Sequence, residues 1–366
     1  MIDRRLFTNF DWTLYGLVVL IAAIGVINIY SASASYRLVG TPFFVKQIYW
    51  IMSGLIMALM VCSIDYHIME DLAYWIYGAL LVLLLIVLFA GKTSMGATRW
   101  LHIGFFSIQP SEPMKIVIIA VFARFFSNRP IFKGIGLMDL GYPILLLCGP
   151  VFLIMKQPDL GTAILVLLMV FTMILYVGVR WTTFISVFLT ALPMLFLGWH
   201  YFLREYQKNR ILNFIDPERD PLGSGYHIIQ SKIAVGSGGI LGKGFLHGTQ
   251  SHLRFLPEQH TDFAFSVFAE EWGFIGCLVI LVLYLFLILW GLYIADRCND
   301  RFGSLMAVGV TAMLFWHILI NMGMVIGLFP VVGVPLPFFS YGGTSMITSM
   351  IGVSILLNIS MRRFMF

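Results

Sequence analysis

Charged residues are scarce in this sequence. They make up 11% of its 366 positions, against 60% hydrophobic residues and a mean hydropathy of +0.91, whereas a soluble domain carries about a quarter charged residues. So little charge excludes a globular fold wetted on every side. Cysteine is sparse too. Of Cys62, Cys148, Cys277 and Cys298, three lie in or beside apolar segments and one in a short basic loop. None falls in the long polar stretch that a disulfide framework would staple. Nucleotide fingerprints are missing as well. In the run Gly236-Ser237-Gly238-Gly239-Ile240-Leu241-Gly242-Lys243-Gly244, Ser237 stands where a Walker loop needs glycine and Gly244 where it needs Ser or Thr. Leu241 stands where a Rossmann turn needs glycine. A flexible re-entrant turn is the expected role of this run, with a backbone nest for pyrophosphate as the alternative. The net charge of +5 is no nucleic-acid footprint, because the basic residues sit at the ends of apolar runs, where membrane topology puts them.

Long apolar runs are what the sequence has in abundance. Spans are expected near 12–31, 44–63, 72–90, 112–126, 142–156, 160–177, 182–199, 263–294, 304–328 and 340–360. The longer ones reach the roughly 20 residues that cross a hydrocarbon core. In lipid each must be a helix, because every backbone N–H and C=O has to be satisfied within the segment. The expected fold is an all-α polytopic membrane bundle of about ten helices, a single domain over 1–366 with one long loop near 200–262. Arg4, Arg5, an apolar run and Ala32-Ser33-Ala34 imitate a secretory signal. The run is long for a signal, and many spans follow it, so a retained first helix is expected. The eighth span is too long for one straight crossing, and its first part, with Glu270 and Glu271, is expected to project above the bilayer or lie at its interface.

Orientation follows from Lys and Arg in the short loops. With the N-terminus inside, ten fall on the inner side: Arg4, Arg5, Arg124, Arg129, Lys133, Arg180, Arg297, Arg301, Arg362 and Arg363. Five fall outside: Arg37, Lys46, Lys92, Arg99 and Lys156. The bias puts both termini in the cytoplasm and the 200–262 loop on the far side.

Candidate chemistry gathers at three places. Asp262 ends the run Arg254-Phe255-Leu256-Pro257-Glu258-Gln259-His260-Thr261 and stands just before an apolar helix. There the helix dipole favours an anion, either the carboxylate or a substrate phosphate. Asp262 or Thr261 acting only as a helix cap is the plainer alternative. A metal site from His260 and Asp262 lacks a third ligand at suitable spacing. Glu112 and Lys115, three apart at the start of the fourth span, share a helix face and can neutralise one another, either as a structural pair or beside a cavity. Arg99, Gln109 and Ser111 belong to the same loop. From Asn321 onward, Gly327-Leu328-Phe329-Pro330-Val331-Val332-Gly333-Val334-Pro335-Leu336-Pro337-Phe338-Phe339-Ser340-Tyr341-Gly342-Gly343-Thr344-Ser345 breaks the ninth helix. Irregular backbone at membrane depth is tolerated only where protein buries it or where it lines a watery cavity.

These strings resemble the SEDS family (shape, elongation, division and sporulation proteins). The C-terminal string is similar to its signature, 256–263 to its second hallmark and 233–244 to its glycine-rich loop. Arg99-Trp100, Gln109-Pro110-Ser111-Glu112 with Lys115, and Gln157-Pro158-Asp159-Leu160-Gly161-Thr162 are further likenesses, so the resemblance covers the whole chain. Tyr30-Ser31-Ala32-Ser33, Gly225-Tyr226-His227 and the short termini resemble the elongation branch more than the division branch. Pro113 departs from the family pattern and leaves the start of the fourth helix open.

The resemblance implies a peptidoglycan glycosyltransferase in the bacterial cytoplasmic (inner) membrane. It would polymerise lipid II into β-1,4 glycan for elongation and rod shape and release undecaprenyl pyrophosphate. It carries the catalytic aspartate onto Asp262 and the family's salt-bridged pair onto Glu112 and Lys115. Supporting or substrate-binding roles are expected for Arg99, Asp159, Glu258, His260, Thr261, Ser340 and Ser345. Arg210, Lys243, Arg254 and the glycine-rich backbone are candidates to hold the pyrophosphate, with a divalent cation (Mg or Mn) as a further candidate and no organic cofactor. Implied partners are lipid II, undecaprenyl-linked glycan, a class B penicillin-binding transpeptidase and other elongation-complex membrane proteins, with no nucleic acid. The rival readings are a lipid-linked precursor flippase, a division-type paralogue and a scaffold for cell-wall enzymes.

Overall fold

A computed structural model of the chain describes residues 10–34, 41–94, 97–103, 106–129, 134–202, 205–220, 224–252, 255 and 258–363. In chain order come α1 (Trp12–Ser33), α2 (Phe43–Ser63), α3 (His67–Ala90), β1 (Lys92–Ser94), β2 (Ala97–Ile103), β3 (Phe106–Ile108), α4 (Ser111–Ser127), α5 (Gly141–Lys156), α6 (Leu160–Val177) and α7 (Trp181–Leu197). There follow α8 (Glu205–Ile215), α9 (Ser224–Ser237), α10 (Thr249–His252), α11 (Ala264–Asp296), α12 (Arg301–Val325) and α13 (Gly343–Arg362). All ten expected spans are helical. Among the described residues eight candidate spans are long and apolar enough to cross a membrane, while α4 and α7, at 17 residues each, are shorter. The molecule is an integral membrane protein.

Two features lie outside the expected set of spans. Residues 92–108 form a three-stranded antiparallel sheet in the order β1-β2-β3, pairing Lys92 with Trp100 and Leu101 with Ile108. The 200–262 loop is also substantially helical, carrying α8, α9 and α10.

The chain divides into two compact units. One comprises Met1–Ser63, Asn209–Tyr293 and Leu314–Arg362; the other comprises Ile64–Lys208, Ile294–Met313 and Arg363–Phe366. In the first, α2 lies close against α13 because glycine faces bulk at both ends. A Cβ on Gly54 would come within 2.8 Å of Met350 Cγ, and one on Gly343 within 2.5 Å of Trp50 Cε2. Without a hydrophobic drive between helices in lipid, such close packing and interhelical hydrogen bonds provide the cohesion. The Asn358 amide adds one, donating to the Val61 carbonyl at 2.7 Å.

α11 resolves the over-long eighth span. It breaks at Gly273, whose φ of 63° and ψ of −162° lie in a region open essentially only to glycine. A short helix, 264–272, precedes the break, and the long apolar stretch follows it. The glycine-rich segment seals the break by backbone pairing. Lys243 N donates to Glu270 O at 3.0 Å, Gly244 N to Glu271 O at 2.9 Å, Phe274 N to Gly239 O at 2.9 Å and Ile275 N to Ile240 O at 3.2 Å. A side chain on Gly238 would overlap the Ala269 carbonyl, and one on Gly242 the Glu271 carbonyl. Close backbone approach therefore explains these glycines. The expectation of a flexible turn is corrected: the segment is pinned, and the Lys243 and Gly244 amides are already used.

Glu270 and Glu271, on the short helix before the break, are enclosed by the protein itself. They are 0% and 1% exposed. Glu270 receives Lys243 Nζ at 2.7 Å, Thr249 Oγ1 at 2.9 Å and the Gln250 amide at 3.1 Å. The Ser31 hydroxyl donates to Glu271 Oε1. Replacing Gly273 by alanine combines a forbidden backbone conformation with overlap onto the Gly242 amide. The expected cost is on the order of 3 kcal/mol, read as a lowered thermal midpoint in detergent; an unchanged midpoint would contradict the backbone seal.

Candidate active site

In the first unit the chain turns at 258–263 before entering α11. The first helical bonds run to the Phe263 carbonyl, from Ser266 N at 3.0 Å and Val267 N at 3.4 Å. The cap position is therefore Phe263, and Asp262 stands one residue ahead of it. The Asp262 carbonyl accepts from Asn321 Nδ2 at 3.0 Å, and the same amide donates to the Val334 carbonyl at 2.7 Å. One side chain on α12 thus ties the aspartate's backbone to the Pro/Gly segment. Gly333, at φ 72°, lies against the carboxylate: a Cβ there would stand 3.3 Å from Asp262 Oδ2. Positive φ and the missing side chain leave bare backbone beside the carboxylate.

The rest of the turn is tightly built. Glu258 adopts φ 46°, uncommon for a residue other than glycine, and such strain persists where surrounding structure fixes it. Thr261 donates through its amide to the Glu258 carbonyl at 3.0 Å and through its hydroxyl to Glu258 Oε2 at 3.1 Å. The His260 ring stacks on Phe43, with centroids 4.1 Å apart and 25° between planes. Its carbonyl accepts from Tyr341 N at 2.9 Å. Ser340 turns its hydroxyl inward to accept from Leu336 N at 3.1 Å, and its carbonyl accepts from Gln47 Nε2 at 3.1 Å. Ser345 is buried in the first turn of α13.

Burial pushes the His260 imidazole below the ordinary histidine range, against the opposite pull of Glu258, whose Oε2 lies 4.0 Å from Nε2. The ring is held neutral, so the unfolded chain binds the proton more readily. The associated stability is fully present above the unfolded value of about 6.5 and is lost as pH falls through the depressed folded value. Acidification from about pH 7.5 to 5.5 is expected to lower the thermal midpoint more in the native protein than in His260→Gln. Equal losses in the two would contradict this origin.

The second unit holds the other cluster. Pro110 occupies the cap position of α4, and Pro113 fits its first turn, where the missing N–H has no helical partner in any case. This settles the helix start at Ser111. Lys115 Nζ bonds Glu112 Oε1 at 2.9 Å, with both side chains nearly devoid of solvent contact. Asp159 caps α6 by accepting from Thr162 N at 3.3 Å, receives Gln109 Nε2 at 3.0 Å and has Arg99 NH1 at 3.8 Å. The Arg99 guanidinium also donates to the Pro158 carbonyl. Gln109 and Arg99 thereby join the sheet to the α5–α6 turn.

Asp262, Glu258, His260, Thr261 and Ser340 are therefore brought together in one unit, and Arg99 and Asp159 in the other, with Glu112 and Lys115 paired on α4. Lys243 is engaged by Glu270, and Arg210 lies half-buried on α8. Arg254 lies outside the described residues. Among the described residues no three His, Cys, Asp or Glu side chains are grouped to hold a metal ion. Residue patterns overlooked Asn28, Gln47 and the positioning role of Asn321. Asn28 donates to the Ala264 carbonyl at 2.9 Å and Gln259 to the Ala32 carbonyl at 2.7 Å. The available signal was a polar side chain within an apolar run.

A family profile described as "Cell cycle protein", that of FtsW, RodA and SpoVE, matches residues 11–364. The peptidoglycan glycosyltransferase MrdB of Escherichia coli (strain K12) is 44% identical over 321 residues, covering 87% of this chain and 85% of the relative. A solved chain described under "Structural coordination of polymerization and crosslinking by a peptidoglycan synthase complex" superposes with a TM-score of 0.83 at 35% identity, covering 98% and 99% of the two chains. The rod shape determining protein RodA of Thermus thermophilus superposes with a TM-score of 0.71 at 30% identity, covering 97% and 98%.

Proposed function

The chain belongs to the FtsW, RodA and SpoVE family and is a peptidoglycan glycosyltransferase of cell elongation; from that premise we propose that Asp262 is its catalytic base. The acceptor is a sugar hydroxyl, a poor nucleophile at neutral pH. In the proposed step the Asp262 carboxylate takes the hydroxyl proton as the oxygen attacks the anomeric carbon of the donor lipid II. The bond from that carbon to the pyrophosphate breaks with inversion, a β-1,4 linkage forms, and undecaprenyl pyrophosphate departs with the electron pair. One base suffices, because inversion needs no covalent enzyme intermediate. The observation that carries this reading is the placing of the carboxylate against the bare backbone of Gly333 while Asn321 fixes its main chain.

The remaining assignments rest on charge and chemistry. Arg210 and Arg254 are proposed for the pyrophosphate, since the Lys243 ammonium is engaged by Glu270. No step is routed through a divalent cation. Both termini are assigned to the cytoplasm, which puts Asp262 on the outer face, where a lipid-linked head group leaves the bilayer. A class B penicillin-binding transpeptidase and other elongation-complex membrane proteins are the proposed partners, by analogy with the synthase complex that couples polymerization to crosslinking. The test is polymerisation of lipid II by purified native and Asp262→Asn proteins of matched folding. Substantial glycan from the variant would remove the assignment. Translocation in sealed vesicles without glycan synthesis would favour the flippase instead.

A further inference from the structure

We propose that the aromatic rings of Tyr30, Phe44 and Phe245, continued by the Phe43–His260 stack, form a ledge that holds the sugar chain next to Asp262. The inference rests on the glycan-polymerising reading and deepens it by naming where the polymer is held.

The rings fall in two contacting groups, joined in sequence through the neighbours Phe43 and Phe44. Tyr30 meets Phe44 edge-on, with centroids 5.1 Å apart at 80°, and lies nearly parallel to Phe245 at 6.3 Å and 20°. Phe43, the neighbour of Phe44 on the first turn of α2, stacks on His260. Lys46 Nζ lies 5.7 Å from the centroid of the Phe43 ring. His260 is two residues from Asp262, so the second group sits on the turn that carries the carboxylate. The first group is open: Tyr30 is 44% and Phe245 37% exposed.

A buried framework sets these rings in place. Glu271, 1% exposed, binds the Ser31 hydroxyl through its carboxylate and the Gly244 amide through its carbonyl, the latter at 2.9 Å. It thereby anchors the immediate neighbours of Tyr30 and Phe245. Gln259 donates to the Ala32 carbonyl at 2.7 Å, fastening the Asp262 turn to the same last turn of α1. Ledge and base therefore hang from one point and keep a fixed spacing. Lipid-anchoring aromatics need only interfacial depth; a buried carboxylate registering two rings to each other is more than anchoring requires.

The occupant that fits is a β-1,4 chain of N-acetylated sugars. A pyranose ring has apolar C–H faces and polar edges. Laid on aromatic faces, it removes apolar area from water and leaves its hydroxyls solvated. Such contacts tolerate sliding, as a chain lengthened one unit at a time requires. Lys46 adds a cation for the carboxylates of attached peptides.

The test uses the purified full chain in detergent, the β-1,4-linked N-acetylglucosamine hexamer as binding probe, and lipid II for strand length. Tyr30→Leu and Phe245→Leu keep apolar bulk and remove the ring. Each is expected to weaken hexamer binding about fivefold, and the pair to shorten strands about threefold. Tyr30→Phe and Phe245→Trp should restore both readouts. Native-like binding and strand length in folded leucine variants would overturn the ledge, as would an effect confined to thermal midpoint or membrane insertion. These outcomes are separate from failure of the base assignment, which appears as polymerisation surviving in Asp262→Asn.

Discussion

Replacing Asp262 by asparagine is expected to slow lipid II polymerisation by roughly 10²–10⁴-fold, the range a positioned general base supplies. Asparagine keeps the volume and most of the hydrogen bonding of aspartate but cannot accept the proton. The bond from the Asn321 side chain to the Asp262 carbonyl and the helix start at Phe263 do not involve the Asp262 carboxylate, so both survive the change. The loss should fall on the rate constant, with substrate concentration dependence little altered, because the proton is taken only as the new bond forms. Asp262→Glu is a sharper probe. Oδ2 already lies 3.3 Å from where a Cβ on Gly333 would be, so a longer side chain is driven towards that backbone. A carboxylate misplaced by about 1 Å can cost on the order of 10²-fold. A glutamate variant no better than asparagine would locate the activity in placement as well as in charge. An asparagine variant retaining a tenth or more of native rate would put the base elsewhere.

The spans were legible because a helix in lipid has to be long, apolar and hydrogen-bonded within itself, and hydropathy reads all three requirements at once. Asp262 was legible as a polar residue at an apolar boundary, though from position alone a helix cap was the plainer reading. In the structure the first helical bonds run to the Phe263 carbonyl, one position past Asp262. The break at Gly273 could not be read so easily. A single glycine in a long apolar run looks like packing, and its conformation is set by the distant segment 238–244 that pairs with it. The same contact explains why Lys243, an apparent phosphate ligand, is committed to Glu270. The helices of the 200–262 loop were missed for another reason. α9 is fixed by a distant polar contact, Ser231 donating to the Val325 carbonyl at 2.7 Å, and weak periodicity in a polar stretch does not announce such docking. The sheet at 92–108 is short, and its strands carry no clean alternation.

The second large effect is expected at the buried pair on α4. Lys115 is 1% exposed, its ammonium is 2.9 Å from Glu112 Oε1, and Glu112 Oε2 has no hydrogen-bond partner among the described residues. Lys115→Met removes the charge while keeping most of the apolar stem. It leaves a carboxylate desolvated without its counter-ion, at an expected cost of about 3–5 kcal/mol in unfolding free energy. The loss belongs to the orphaned charge rather than to the attraction itself, because a buried pair has already given up the hydration of both ions. Glu112→Leu combined with Lys115→Met should therefore recover most of the stability. That double variant separates two roles which the single one confounds. If the pair only closes the start of α4, the recovered protein polymerises lipid II at a near-native rate. If stability returns and polymerisation does not, the pair contacts substrate, and the free Glu112 oxygen is the atom placed to accept from it. A Lys115→Met protein as stable as the native one would show that water reaches the site, and the desolvation argument would fail.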